Sequence, residues 1–116
     1  MGVQTNSQKM AQAAYQQIGK RKPDDEFARF ARSFPSLVHA CGLAQAVAFA
    51  KAKQRGQYLE DLAAVLNAAG HPEAASAESL AHATREHPVA AYVRLSRNAL
   101  EAAGWLKRYV DAVERQ

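Results

Sequence analysis

The chain has 116 residues, of which 48% are hydrophobic and 22% are charged, as expected of one globular domain rather than a disordered protein. Its 26 alanines and 9 leucines, against one isoleucine and two threonines, favour helices and nearly exclude a β-sheet protein. The single cysteine, Cys41, excludes an internal disulfide and a multi-cysteine zinc site.

The net charge of +4 is unevenly distributed along the chain. Residues 1–55 carry nine Lys/Arg against three Asp/Glu, residues 56–93 carry one against five, and residues 94–116 carry five against three. We therefore expect one basic and one acidic surface, which would also let copies of the chain attract one another head to tail. The alternative is that these charges are ordinary solvated surface.

Two amphipathic helices are predicted at the start of the chain. Asn6 or Ser7 can cap the first helix, which is followed by a basic cluster with a glycine and a proline, residues 19–23. Asp24 is the expected N-cap of the second helix. The apolar residues of the second helix recur at helical spacing and predict a core face: Phe27, Phe30, Ala31 and Phe34.

Pro35 predicts the start of a third helix, because proline suits the first turn of a helix and disrupts its interior. We expect this helix to be apolar on all sides and centrally buried, to bend or allow a close crossing at Gly42, and to end at Gly56. A fourth helix should stop at Gly70, and Ser76 can cap a short fifth helix after it.

The last helix gives the clearest signal in the sequence. Its inward-facing stripe follows a seven-residue period: Val89, Tyr92, Ser96, Ala99, Ala103, Leu106, Val110 and Val113. A polar stripe that includes four arginines lies about 160–200° around the same helix. A third stripe comprises Leu95, Ala102, Trp105 and Tyr109. It is either a wider core face or a partner surface anchored by Trp105 and Tyr109.

These patterns together predict an all-α fold. We expect a single domain over residues 1–116, a bundle of about six helices with a long C-terminal helix. The start of the chain lacks the basic and apolar regions of a secretory signal, and no apolar run is long enough to span a membrane. A cytoplasmic protein without membrane contact is therefore expected.

Patterns typical of catalysis and metal binding are absent from the sequence. His39 and Cys41 could suggest an imidazole and a thiolate, but positions two apart on a helix point about 160° from each other. No HxxxH, HExxH or GxSxG motif and no glycine-rich phosphate loop occurs. We therefore predict a protein without catalytic residues, metal or cofactor, with an enzyme that uses His39 or Cys41 as the disfavoured alternative.

Clusters of lysine and arginine make nucleic acid the better candidate ligand, because these side chains bind the phosphate backbone whatever the base sequence. The clusters are residues 20–22, residues 29–32, residues 51–55 and four cations of the last helix: Arg94, Arg97, Lys107 and Arg108. No base-reading motif accompanies them, so contact independent of sequence is expected. The alternative is solvated charge, or pairing along one helix as between Lys107 and Asp111.

Two segments resemble a known protein family. Residues 27–53, FARFARSFPSLVHACGLAQAVAFAKAK, resemble its aromatic-start helix and following Gly-Leu helix, and residues 92–112, YVRLSRNALEAAGWLKRYVDA, resemble its closing helix with Trp-Leu-Lys-Arg. Together they cover about 40% of the chain, in the expected order. The chain is thus similar to the small α-helical subunit of the type III-B CRISPR RNA-guided effector, the Cmr complex. Asn98 stands where the resemblance leads us to expect an acidic residue.

The resemblance implies a non-catalytic subunit that stacks with copies of itself in a minor filament along the duplex of guide RNA and target RNA. Other Cmr subunits would be further partners, and target cleavage would belong to them. The expected contacts to the RNA backbone are the cations of the matching segments: Arg29, Arg32, Lys51, Lys53, Lys107 and Arg108, with Arg94 and Arg97 behind them. Two alternatives stay open: a protein–protein scaffold that never touches RNA, and a free-standing helical nucleic-acid-binding protein.

Overall fold

Six α-helices and one 3-10 turn form the part of the protein that the computed structural model describes, residues 4–114. In chain order they are α1 (Asn6–Arg21), α2 (Asp25–Cys41), α3 (Leu43–Ala52), α4 (Gly56–Ala68), the 3-10 turn (Pro72–Ala74), α5 (Ala77–Glu86) and α6 (Val89–Glu114). No strand occurs among these residues, so the predicted all-α bundle with a long last helix is confirmed. No helix in that range is long and apolar enough to cross a membrane.

Side-chain caps start three of the helices. Asp24 accepts a hydrogen bond from the Phe27 N–H at 2.8 Å, and Ser76 caps α5 in the same way, so both predicted caps are confirmed. The cap of α1 is Thr5 rather than the predicted Asn6 or Ser7. Each cap satisfies an N–H group that has no partner within its own helix.

α2 continues through Pro35 and breaks at Gly42, so the predicted start of a new helix at Pro35 was wrong. Phe34 and Val38, on either side of the proline, are both buried, and this burial offsets the hydrogen bond that proline removes. Gly42 has φ 87° and ψ 163°, a conformation open essentially to glycine alone. The chain therefore reverses between α2 and α3 at a single residue.

α6 contacts α1, α2 and α4. α2 runs antiparallel to it, because Arg32 bonds Asp111 near the end of α6, whereas Ala44, just beyond α2, bonds Tyr92 near the start of α6. The Tyr92 hydroxyl accepts from the Ala44 N–H at 3.0 Å and so supplies the cap that Gly42 cannot give to α3. α3 then lies beside α2 and also contacts α5.

The inward stripe predicted for α6 is buried over the middle of the helix, at Ala99, Ala103, Leu106 and Val110. Its two end residues, Val89 and Val113, are exposed, so the prediction was wrong at both ends of the stripe. The third stripe widens this core face, because Leu95 and Ala102 are fully buried and Trp105 and Tyr109 are partly buried against the core. The outer surfaces of Trp105 and Tyr109 stay a predicted partner surface.

A buried ion pair joins α1 to α4. The Asp61 carboxylate is fully buried and accepts hydrogen bonds from Gln17 Nε2 at 2.8 Å and from Arg21 Nη2 at 2.6 Å and Nε at 3.0 Å. The hydrogen bond to Asp61 raises the pKa of the Arg21 guanidinium above its ordinary value. Arg21 therefore links α1 to α4, and its charge is neutralised by Asp61 rather than left in the basic cluster at residues 20–22.

Candidate nucleic-acid interface

Arg29 and Lys53 line one shallow groove between α2 and α3, of about 210 Å³. Both side chains are exposed, and neither forms an ion pair within the described part of the chain. The remaining lining residues are Glu26, Phe30, Ser33, Phe49 and Arg55. We call this the Arg29–Lys53 groove.

Aromatic packing sets the position of the two groove cations. Because the chain reverses at Gly42, α3 returns along α2, and the Phe49 ring stacks on the Phe30 ring with centroids 6.5 Å apart and planes 5° apart. Arg29 precedes Phe30 by one residue, and Lys53 follows Phe49 by one helical turn. Residues from two separate stretches of the sequence thus meet in one groove.

The Arg29–Lys53 groove carries a positive charge. Arg55 Nη2 bonds Glu26 Oε1 at 2.8 Å, and its guanidinium lies 5.8 Å from the centre of the Phe30 ring. Since Glu26 and Arg55 neutralise each other, the charge that remains is that of Arg29 and Lys53. Arg55 belongs to the basic cluster recognised in the sequence but not to the final predicted set, and no pattern in the sequence pointed to its pairing with Glu26.

Two of the predicted cations form ion pairs that join helices. Arg32 Nε bonds Asp111 Oδ1 at 2.8 Å between α2 and α6, and Lys51 Nζ bonds Glu78 Oε2 at 3.0 Å between α3 and α5. The bond to Lys51 holds the pKa of Glu78 below its ordinary value. The predicted pairing of Lys107 with Asp111 is not observed; Asp111 pairs with Arg32 instead. RNA would have to compete with these intramolecular pairs.

None of the four predicted cations of α6 is among the residues that line the Arg29–Lys53 groove. Asp111 is the α6 residue that bonds Arg32 of α2. Arg97 precedes Asp111 by 14 residues, so the two lie about 21 Å apart along α6 at 1.5 Å per residue. Arg94, Arg97 and Lys107 lie on α6 itself, and the Arg108 guanidinium lies 5.1 Å from the centre of the Trp105 ring. The structure therefore brings Arg29 and Lys53 together but does not gather all eight predicted cations into one site.

Trp105 and Tyr109 belong to an aromatic row at the seam of α1 and α6. Their rings stack with centroids 6.0 Å apart, and Tyr15 meets the Tyr109 ring edge-on at 5.6 Å. A groove of about 570 Å³ at the ends of α1 and α6 is lined by Tyr15, Tyr109 and Val113, among others. Tyr15 was not among the predicted surface residues, because it lies outside the inward-facing positions of α1.

A polar network around His71 was also missed. The buried His71 ring has Nδ1 at 2.9 Å from Glu73 Oε2 and Nε2 at 2.7 Å from Asn98 Nδ2, and His87 Nε2 lies 3.4 Å from the same Glu73 oxygen. Burial raises the pKa of Glu73, but hydrogen bonds from His71, its own backbone N–H and His87 outweigh burial and hold that pKa below its ordinary value. The network joins the 3-10 turn to α6.

The residues singled out for possible catalysis form no reactive pair. The Cys41 thiol donates to the Leu37 carbonyl at 3.1 Å, and His39 is exposed on the same helix. Among the described residues, no group of three or more His, Cys, Asp or Glu side chains is arranged to hold a metal ion.

Known proteins match nearly the whole chain. A family model described as CRISPR-associated protein (Cas_Cmr5) matches residues 6–113. The CRISPR system Cmr subunit Cmr5 of Thermus thermophilus is 37% identical over 117 residues, which cover 96% of this chain and 97% of that protein. The X-ray structure of a Cmr5 family protein from the same organism matches with a TM-score of 0.82 and 34% identity, covering 95% of this chain and 97% of that one.

Proposed function

The chain belongs to the Cmr5 family of CRISPR-associated proteins, and on that basis we propose that it is a non-catalytic structural subunit of the type III-B Cmr complex. Copies of the chain stack in a minor filament along the duplex of guide RNA and target RNA, in the cytoplasm. Its partners are other Cmr subunits, further copies of itself and the two RNA strands. Cleavage of the target belongs to other subunits.

The Arg29–Lys53 groove is the observation that best supports direct RNA contact. Two exposed cations share it, and the carboxylate among its lining residues is already paired with Arg55. Such cations bind the phosphate groups of RNA whatever its base sequence, and the release of counterions from the RNA favours the bound state. Because base pairing between guide and target supplies the sequence specificity, the protein needs only to hold the backbone, by analogy with other RNA-guided effectors.

The other predicted cations contribute unequally in this proposal. The side chains of Arg94, Arg97 and Lys107 on α6 are available to phosphates elsewhere on the filament. Arg32 and Lys51 must first leave Asp111 and Glu78, so their net contribution is smaller. Arg108 lies over the Trp105 ring and acts with Trp105 and Tyr109 as a surface for a neighbouring subunit.

Arg32 pairs with Asp111, and Lys51 pairs with Glu78. These two ion pairs favour a second candidate function, a scaffold without RNA contact. In that alternative, the basic residues meet acidic groups of other subunits. Ultraviolet crosslinking of RNA within the assembled complex separates the two functions. RNA contact predicts crosslinked peptides that contain Arg29 or Lys53, whereas a protein-only scaffold predicts no RNA crosslinks to this chain.

Isolation of the tagged chain from its host tests membership of the complex. We expect sister Cmr proteins and small guide RNAs to co-purify with it. Recovery of the chain without either partner would contradict the proposal. Tight binding of RNA by the isolated chain, as strong as in the assembled complex, would favour a free-standing nucleic-acid-binding protein.

A further inference from the structure

Phe49 is a large aromatic residue that the fold leaves 43% exposed. Its neighbours Ala46, Val47 and Ala50 supply the buried face of α3, so Phe49 itself projects away from the core. The exposed ring lines the Arg29–Lys53 groove. It therefore offers an apolar surface in the same place as two cations without carboxylate partners among the described residues.

The packing around Phe49 holds its ring in place. Phe30, which stacks on it, is buried and also contacts the buried Tyr58 ring at 5.3 Å. Lys53 Nζ lies 5.6 Å from the centre of the Phe49 ring. Because Lys53 is long and exposed, its ammonium can move from the ring to an entering phosphate without disturbing the core.

We propose that this groove takes one unpaired nucleotide of an RNA strand, with its base stacked on Phe49 and its phosphates paired with Arg29 and Lys53. Every base presents a π-face, so stacking on an aromatic ring tolerates any sequence. A base inside a duplex is already stacked on its neighbours and cannot offer that face. The groove thus distinguishes an unpaired nucleotide from a paired one. This inference extends the proposed RNA contact, because both depend on Arg29 and Lys53.

The groove suits a nucleotide better than a protein segment, because it combines an exposed ring with positive charge on the two side chains beside it. An acidic peptide would satisfy the cations, but only one with an aromatic residue at the right spacing would also cover Phe49. A nucleotide carries a flat ring and a phosphate on the same ribose, so the two always arrive together. Its chemistry therefore matches both halves of the groove.

Fluorescence anisotropy with the purified full chain at low salt tests the inference. The probes are a short oligouridine, an abasic ribose-phosphate strand of equal length and a duplex RNA. Phe49→Leu should weaken oligouridine binding about 5- to 150-fold, the equivalent of losing one base stack, and leave abasic and duplex binding unchanged. Phe49→Tyr, which keeps an aromatic ring at this position, should bind oligouridine as tightly as the wild-type chain. Tyr15→Leu removes a ring that is 63% exposed elsewhere and should change none of the three.

Equal effects of Phe49→Leu on all three probes, or no effect on oligouridine, would overturn the inference. So would a wild-type chain that binds an acidic aromatic peptide but no RNA. The double variant Arg29→Gln/Lys53→Gln separates the two proposals. If it weakens binding of every probe while Phe49→Leu changes nothing, the groove binds backbone only and the proposed function stands. If neither variant changes binding of any probe, RNA contact at this groove fails as well.

Discussion

Removal of Arg21 should destabilise the protein more than neutralisation of its partner Asp61. Asp61 is fully buried, so an Arg21→Met variant leaves a carboxylate away from water with Gln17 as its remaining side-chain donor. Arg21 is 28% exposed, so in Asp61→Asn the guanidinium can turn towards solvent. Removal of Arg21 and neutralisation of Asp61 should therefore lower the free energy of unfolding by different amounts.

The size of the difference follows from burial. Removal of one partner of a buried ion pair typically costs about 3–5 kcal/mol. We expect Arg21→Met to lower the free energy of unfolding by about 3 kcal/mol, because Gln17 still donates to Asp61. Asp61→Asn should cost about 1–2 kcal/mol, the range for an imperfectly satisfied buried polar group. Lys51→Met, at the exposed pair with Glu78, is the matched control and should lower the free energy of unfolding far less, because solvent screens an exposed pair.

Urea unfolding followed by circular dichroism measures these differences. With a slope of about 1.5 kcal/mol per molar urea, a loss of about 3 kcal/mol lowers the midpoint by about 2 M. A midpoint for Arg21→Met equal to that of Asp61→Asn would refute the argument from unequal burial. A midpoint equal to that of Lys51→Met would show that the pair behaves like an exposed one.

Three further variants test local features of the fold. Tyr92→Phe removes the hydroxyl that accepts from the Ala44 N–H, so it should lower the free energy of unfolding by about 1 kcal/mol and speed amide exchange at Ala44. Unchanged exchange at Ala44 would contradict the cap. Gly42→Ala should cost about 1–3 kcal/mol in thermal unfolding because of its positive φ, and wild-type stability would refute this. The pKa of Glu73 is lower in the folded protein than in the unfolded chain, where it is about 4.3. The Glu73 carboxylate therefore stabilises the fold above about pH 4.3, and this stabilisation is lost as the pH falls through the pKa of the folded state. Glu73→Gln should therefore be less stable than wild type at neutral pH and nearly equal to it at about pH 2; a constant gap across that range would contradict the network.

Local signals in the sequence predicted most of the helices. Asp24 and Ser76 are caps because their side chains accept from N–H groups three residues further along the chain. Such local contacts can be predicted from the sequence. Pro35 misled the prediction, because its local cost is outweighed by burial on both sides. Gly42 was recognised as special, but its role as the reversal between α2 and α3 depends on Tyr92, which is distant in the sequence.

The candidate site was predictable in its components but not in its arrangement. Arg29 and Lys53 were in the predicted set because of their charge, yet nothing in the sequence placed them beside each other. Phe49 was expected in a centrally buried helix, whereas the structure leaves it exposed. The pairing of Arg32 with Asp111 spans 79 residues, and such pairs follow only from the way the helices pack.

The salt dependence of RNA binding by the assembled complex tests the central claim most directly. The complex is prepared with the wild-type chain, with Arg29→Gln/Lys53→Gln, and with Arg85→Gln. The last variant is a control that removes one cation from the acidic segment, residues 56–93. Each phosphate contact contributes about 0.7–0.9 to the slope of log K against log salt. We predict that the slope of the double variant is smaller in magnitude by about 1.5 for each copy of the chain in the complex, while that of Arg85→Gln equals the wild-type slope. An unchanged slope in the double variant would contradict backbone contact through this groove.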